Sequence, residues 1–150
     1  MKLEWDYRVT ELLGLIEQFL LETQYPITYS ASGSTEYIWR IINDPLSAIF
    51  LHYQDDKIAG AIIVHADKEF QNEEFGYISK MYVLPEYRGT RTGRALLDEA
   101  CRWFDQKNCI LSFATATAAV GQDKLYTNLL GKFGFVSQGM VLIRKGKQYE

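Results

Sequence analysis

MYVLPEYRGTRTGR, residues Met81 to Arg94, runs directly into the apolar stretch ALLDEACRWF, and its reading decides the fold. Ile78, Met81, Tyr82 and Val83 make a strand-like run that Pro85 must end, since proline cannot donate to a sheet ladder. Gly89 and Gly93 then bracket a loop of small and hydroxylated residues. Leu96, Leu97, Ala100, Cys101 and Phe104 follow at helical spacing, which puts one apolar face on an amphipathic helix. Strand, glycine loop and helix come in that order.

The first turn of such a helix has free N–H groups, and its dipole adds partial positive charge at the same place. Arg88, Arg91 and Arg94 add three cationic side chains. A polyphosphate suits this chemistry because it accepts several N–H bonds and ion pairs at once. On local chemistry alone, a surface turn with solvated arginines stands equally open.

A chain of 150 residues is expected to be one domain, 1–150, with its own core. Its 47% hydrophobic and 23% charged residues match an ordinary globular composition and argue against disorder. The N-terminal MKLEWDYRVTE lacks an apolar core of signal-peptide length, and no stretch is long enough to span a bilayer. A cytoplasmic protein with no membrane partner is the expectation. A net charge of −3 argues against general nucleic-acid binding, which needs a dominant basic surface. Cys101 and Cys109 sit in no metal-like spacing and read as buried thiols. His52 and His65 lie in separate strand-like runs and are expected to pack or face solvent, so no metal site is expected.

Leu12, Leu13, Ile16, Phe19 and Leu20 mark a first amphipathic helix, which Gln24 to Pro26 breaks. Lys2 to Tyr7 reads as a short strand before it. Ser34 is a candidate N-cap for a second helix carrying Ile38, Trp39, Ile41 and Ile42. Ala48 to Tyr53 and Ile58 to Ala66 read as strands joined by a hairpin turn, and Phe75 to Val83 as a third. Beyond the loop helix come a strand from Cys109 to Thr115, a helix from Asp123 to Phe133 and Gly134 as its C′ residue. Phe135 to Gln138 and Met140 to Lys145 read as final strands turning at Gly139. The order predicts an α/β domain with a mixed sheet.

This order, with VLPEYRGTRTGRALL in the middle and LLGKFGF near the end, resembles the GCN5-related N-acetyltransferases over about Thr10 to Lys145. The resemblance implies a mixed, mostly antiparallel sheet flanked by helices. It also implies a central strand pair that splays, the strand ending at Val83 parting from Cys109 to Thr115, with acetyl-CoA in the opening. The family's pyrophosphate loop falls on Arg88, Gly89, Thr90, Arg91, Thr92 and Gly93, with Arg91 where the family carries a glycine. Cofactor contacts are therefore expected from Met81, Tyr82 and Val83 on the strand and from Arg88, Gly89, Thr90, Arg91, Thr92, Gly93 and Arg94 in the loop. A side chain at Arg91 is expected either to crowd the diphosphate or strain the backbone, or to fold outward and pair with a phosphate.

The same resemblance implies transfer of acetyl to an amine by direct attack. The Val83 N–H, aimed at the thioester carbonyl, suits the charge that develops on that oxygen. The family's usual glutamate base falls on Tyr77, a poor base at neutral pH. Glu74 and Glu73 lie just upstream and are candidates acting through water, or else solvated connector residues. The family's acid position falls on Leu130, with Tyr126 one helical turn earlier as the candidate acid or a core tyrosine. The acceptor, a small-molecule or protein amine, is expected to enter near TQYPITYSASGS, where Tyr25 and Tyr29 either shape its pocket or pack on the sheet edge, and Glu22 and Glu36 are candidates to attract it or else plain surface charge. A homodimer is compatible with this reading. Because Arg91, Tyr77 and Leu130 depart from family habit, a scaffold that binds CoA or a protein without chemistry stands as the alternative.

Overall fold

The structure, a computed structural model, describes residues 1–23, 27–68, 72–115, 123–139 and 144. The elements run α1 (Arg8–Thr23), α2 (Ala31–Ile42), β1 (Ser47–Gln54), β2 (Lys57–Asp67), β3 (Glu74–Val83), α3 (Thr92–Gln106), β4 (Cys109–Ala114) and α4 (Asp123–Gly131), with a 3-10 turn at Pro85–Tyr87.

One sheet carries the strands in the order β1-β2-β3-β4, antiparallel except for the parallel pair β3 and β4. Both of its faces are covered, which is why β1 and β2 read as nearly continuous apolar runs. Ala48, Phe50, Ile62 and Val64 face Leu96, Leu97, Ala100, Trp103 and Phe104 of α3. Ile49, Leu51, Ala61 and Ile63 face Val9, Leu12 and Leu15 of α1 and Ile38 and Ile41 of α2. Alternate residues of each strand thus feed two separate cores.

Some boundaries differ from the sequence reading. Helix α2 starts at Ala31, capped by the Ser30 hydroxyl, which accepts from the Gly33 N–H at 3.1 Å. Ser30 lies in the extended conformation a cap needs, whereas Ser34 is already helical. The expected strand at Lys2 to Tyr7 shrinks to a bridge between Lys2 and Phe50, with Leu3 buried beside it. Phe135 to Gln138 is not a strand; it follows a helix end in which Gly134, at φ +89°, closes a Schellman turn. There the Phe135 N–H reaches the Leu130 carbonyl and the Gly134 N–H reaches that of Gly131. The expected strand Met140 to Lys145 falls outside the described residues, Arg144 excepted. Both cysteines are free and half-buried rather than fully buried, and burial pushes both thiols up. Among the described residues, no helix is long and apolar enough to cross a membrane.

Candidate active site

Strands β3 and β4 pair from Glu74 with Cys109 only as far as Ile78 with Ala114, while β3 continues five residues further to Val83. Among the described residues the parallel pair therefore ends there, as the expected opening requires, and no strand pairs with the β4-facing edge of Ser79–Val83. Which groups point into the gap follows from the other edge. The Leu84 N–H donates to the Ala59 carbonyl at 2.9 Å, and Val83, Tyr82 and Met81 lie opposite Gly60, Ala61 and Ile62. Antiparallel alternation turns the main-chain groups of Tyr82 toward β2 and those of Met81 and Val83 toward the gap.

The gap is part of a cleft of about 660 Å³. Met81, Val83 and Thr115 form its floor, the loop from Arg88 to Arg91 with Gly93 and Arg94 one end, and Tyr126 and Leu129 of α4 a wall. Phe19, Thr23 and Ile27 bring the end of α1 and its connection to the rim. This is the carboxyl end of a parallel strand pair, where open α/β sheets bind ligands.

The loop is shaped from within. Tyr87 is buried and its hydroxyl donates to Asp55 at 3.2 Å, pinning the 3-10 turn that follows Pro85. Gly89 then takes φ +79°, a conformation that favours glycine. Thr90 donates its hydroxyl to the Tyr87 carbonyl and accepts from the Thr92 N–H at 3.3 Å. Thr92 is fully buried and its hydroxyl donates to Gln54 at 3.1 Å. The Thr90 hydroxyl is thus used inside the loop and that of Thr92 on the end of β1, and Thr92 does not line the cleft.

What remains at the helix start is a set of main-chain donors. Helix α3 has no side-chain cap, and the Ala95 N–H is the first to reach a carbonyl, that of Arg91 at 2.9 Å. The N–H groups of Gly89, Arg91, Gly93 and Arg94 have no acceptor among the described residues. Close approach here needs Gly93, because a Cβ at that position would stand 2.9 Å from Leu129 and 3.5 Å from Met81 across the cleft.

The three arginines divide by role. Arg88 is committed inward: Nε donates to the Val83 carbonyl at 3.1 Å, and the guanidinium grips both Glu22 oxygens at 2.6 and 2.7 Å. Tyr82 donates its hydroxyl to the same carboxylate and lies under the guanidinium. Glu22 is held below its usual range, foremost by the Arg88 hydrogen bonds, and burial first, then the bond to Glu22, pushes Tyr82 up. Glu22 is therefore a brace between α1 and the loop rather than an attractant for an amine. Arg91 sits at φ −72° and ψ −7°, ordinary helical geometry, so an arginine there strains nothing. Arg91 and Arg94 line the cleft with exposed side chains that have no partner among the described residues.

The candidate acid and base fall in different places. Tyr126 lines the cleft, its hydroxyl has no partner among the described residues, and burial pushes it up to about 12. Leu130 is a core residue. Glu74 lies at the far end of β3, roughly 30 Å from Val83 by strand rise. It lines no part of the cleft and faces Lys68 at 3.8 Å, so the structure removes it as a base. Tyr77 stacks on Phe113 with centroids 5.5 Å apart.

The sequence reading missed Ser79. It is the extra residue of a bulge, since Ile63 pairs with Lys80 and Val64 with Ile78. No signal in the sequence marks it.

These parts make a donor-lined cleft at the end of a parallel strand pair, and the chain belongs to the acetyltransferase (GNAT) family, whose family model matches residues 17–132. Its co-substrate is acetyl-CoA. Comparison with curated proteins gives no match. Solved structures share the fold: AAC(6')-Iy in complex with the bisubstrate analog CoA-S-monomethyl-acetylneamine is 14% identical at TM-score 0.77, covering 99% of this chain and 97% of its own. An aminoglycoside acetyltransferase from an uncultured soil metagenomic sample, in complex with sisomicin, is 14% identical at TM-score 0.69, covering 95% and 89%. The aminoglycoside 6'-N-acetyltransferase AAC(6')-IG from Acinetobacter haemolyticus is 16% identical at TM-score 0.73, covering 99% and 98%.

Proposed function

We propose that this chain transfers acetyl from acetyl-CoA to a primary amine of a small molecule by direct attack, with both substrates bound together. The observation that carries this reading is the convergence on one cleft of main-chain donors, from β3 and from the α3 start, that have no acceptor among the described residues. The N–H groups of Gly89, Arg91, Gly93 and Arg94, with the Arg91 and Arg94 guanidiniums, suit a diphosphate. The edge of Met81 and Val83 suits an amide-bearing arm, and the Val83 N–H suits the thioester oxygen as it gains charge. Acetyl-CoA supplies the activated carbonyl. Tyr126, raised to about 12, stays protonated at neutral pH and can donate to the departing sulfur. The aminoglycoside-acetylating neighbours support a small, multiply charged amine as acceptor.

The test is release of free thiol from acetyl-CoA over a panel of sisomicin, spermidine and a short peptide. Thiol release with the small amines, cut on the order of tenfold or more in kcat by Tyr126→Phe, is the expected result. Acetyl-CoA binding without thiol release on any of them would turn the reading toward a scaffold. Full turnover by Tyr126→Phe would remove Tyr126 from the chemistry.

A further inference from the structure

A second cavity, of about 570 Å³, lies beside the cleft and shares Ile78, Ser79 and Thr115 with it. Asp44, Ser47, His65, Asp67, Tyr77 and Phe113 complete most of its lining. Ser79 stands at the junction, on the bulge where β3 parts from β4. Behind it runs a chain of hydrogen bonds through β2 to the turn after α2. The Ser47 hydroxyl lies 2.7 Å from Asp44 Oδ2 and 2.8 Å from His65 Nδ1, and His65 Nε2 lies 2.9 Å from the Ser79 hydroxyl.

The direction of these bonds follows from donor capacity. Asp44 is held ionised, first by the Leu46 N–H and then by Ser47, so it only accepts. The single Ser47 proton goes to Asp44, and Ser47 can then only accept from the Nδ1–H of His65. This leaves the Nε2 lone pair toward Ser79, whose O–H it accepts at 2.9 Å in preference to the Ile63 carbonyl at 3.4 Å, and the Ser79 lone pairs toward the cavity junction. Burial, the largest effect, lowers His65 and so favours the neutral ring, with Lys80 acting the same way and Asp44 opposing. Asp67 on β2 and Tyr77 on β3 are the other titratable groups of this cavity, and Phe113 and Thr115 of β4 carry no charge.

Resting on the acetyltransferase reading above, we propose that this second cavity receives the acceptor amine and that Ser79, backed by His65, Ser47 and Asp44, takes its proton. The ammonium gives one proton to Ser79 as Ser79 passes its own to His65 Nε2, which later releases it to solvent. The freed amine then forms the C–N bond while the thioester C–S bond breaks. Tyr126 gives its proton to the leaving sulfur, making the thiol, and the second nitrogen proton restores Tyr126. Ser79 is the catalytic residue; His65, which acts only through Ser79, polarises it and holds the proton it passes on. The two carboxylates, Asp44 and Asp67, favour a cationic acceptor at the mouth.

The test measures kcat/KM against pH for the intact chain, Ser79→Ala and His65→Gln, with whichever panel amine the wild type acetylates fastest, and acetyl-CoA affinity by calorimetry alongside. Both variants should lose on the order of 100-fold in kcat/KM and keep their acetyl-CoA affinity. The wild-type fall in rate toward acid, through the range below about 6.5, should vanish in His65→Gln. Unchanged rates and pH profiles, with acetyl-CoA still bound, would overturn the relay and leave the acetyltransferase reading standing. An acetylated Ser79 after incubation with acetyl-CoA alone would also overturn it, in favour of a covalent route. If no amine is acetylated, the reading beneath the proposal fails, and ring-nitrogen NMR still tests the relay: an Nε2-protonated His65 overturns it, an Nδ1-protonated ring supports it.

Discussion

At residue scale, Arg88 and Arg91 exchange the roles that their side chains suggest. Both are cations in a glycine loop, yet Arg88 is spent on Glu22 and the Val83 carbonyl, whereas Arg91 faces the cleft. The reason is a partner 66 positions away in the chain, which no local pattern reveals. The Glu22–Arg88 pair is mostly buried, so removing one partner leaves a charge poorly solvated. Glu22→Gln should therefore cost about 1–3 kcal/mol in a denaturant titration near neutral pH. The sign of its pH dependence is fixed by the lowered carboxyl: the folded state holds Glu22 ionised more strongly than the unfolded chain does. Its contribution is full above the unfolded value of 4.5 and is lost as pH falls through the lower folded value. The gap between wild type and variant should close in the same direction, and a gap that widened toward acid would refute the assignment.

At element scale, the start of α3 is held against the sheet by a missing side chain. A Cβ on Gly60 of β2 would stand 2.8 Å from the Tyr82 carbonyl, 3.0 Å from Leu96 and 3.1 Å from Thr92. Gly60→Ala should cost about 1–3 kcal/mol in stability, since the nearest obstruction is backbone, and should weaken acetyl-CoA binding by moving the N–H groups it meets. A variant of wild-type stability in the same denaturant titration would show that α3 docks less closely. Elements like these were legible where one face or both are apolar: β1, β2, β3 and α3 follow from their side-chain periods. The polar first turn of α2 was not, because Ser30, Ser32 and Ser34 are all good caps and only the Gly33 N–H selects among them. The bulge at Ser79 was equally silent, since register is decided between strands. Glu74 misled the reading because it precedes the loop in sequence yet stands a strand's length away in space.

For the whole molecule, two cores on opposite faces of one sheet leave the β3–β4 opening, among the described residues, as a place where main chain is free to bind. The cleft and the second cavity meet at Ser79 and Thr115, so the fold offers two substrates separate approaches to one strand. The first of these carries the assignment, and calorimetric titration of the intact chain with acetyl-CoA tests it most directly. Saturable binding at one site with a dissociation constant on the order of 1–100 μM is the expected result. No binding up to about 1 mM acetyl-CoA, the top of the ordinary KM range, would contradict the cleft's assignment and everything built on it.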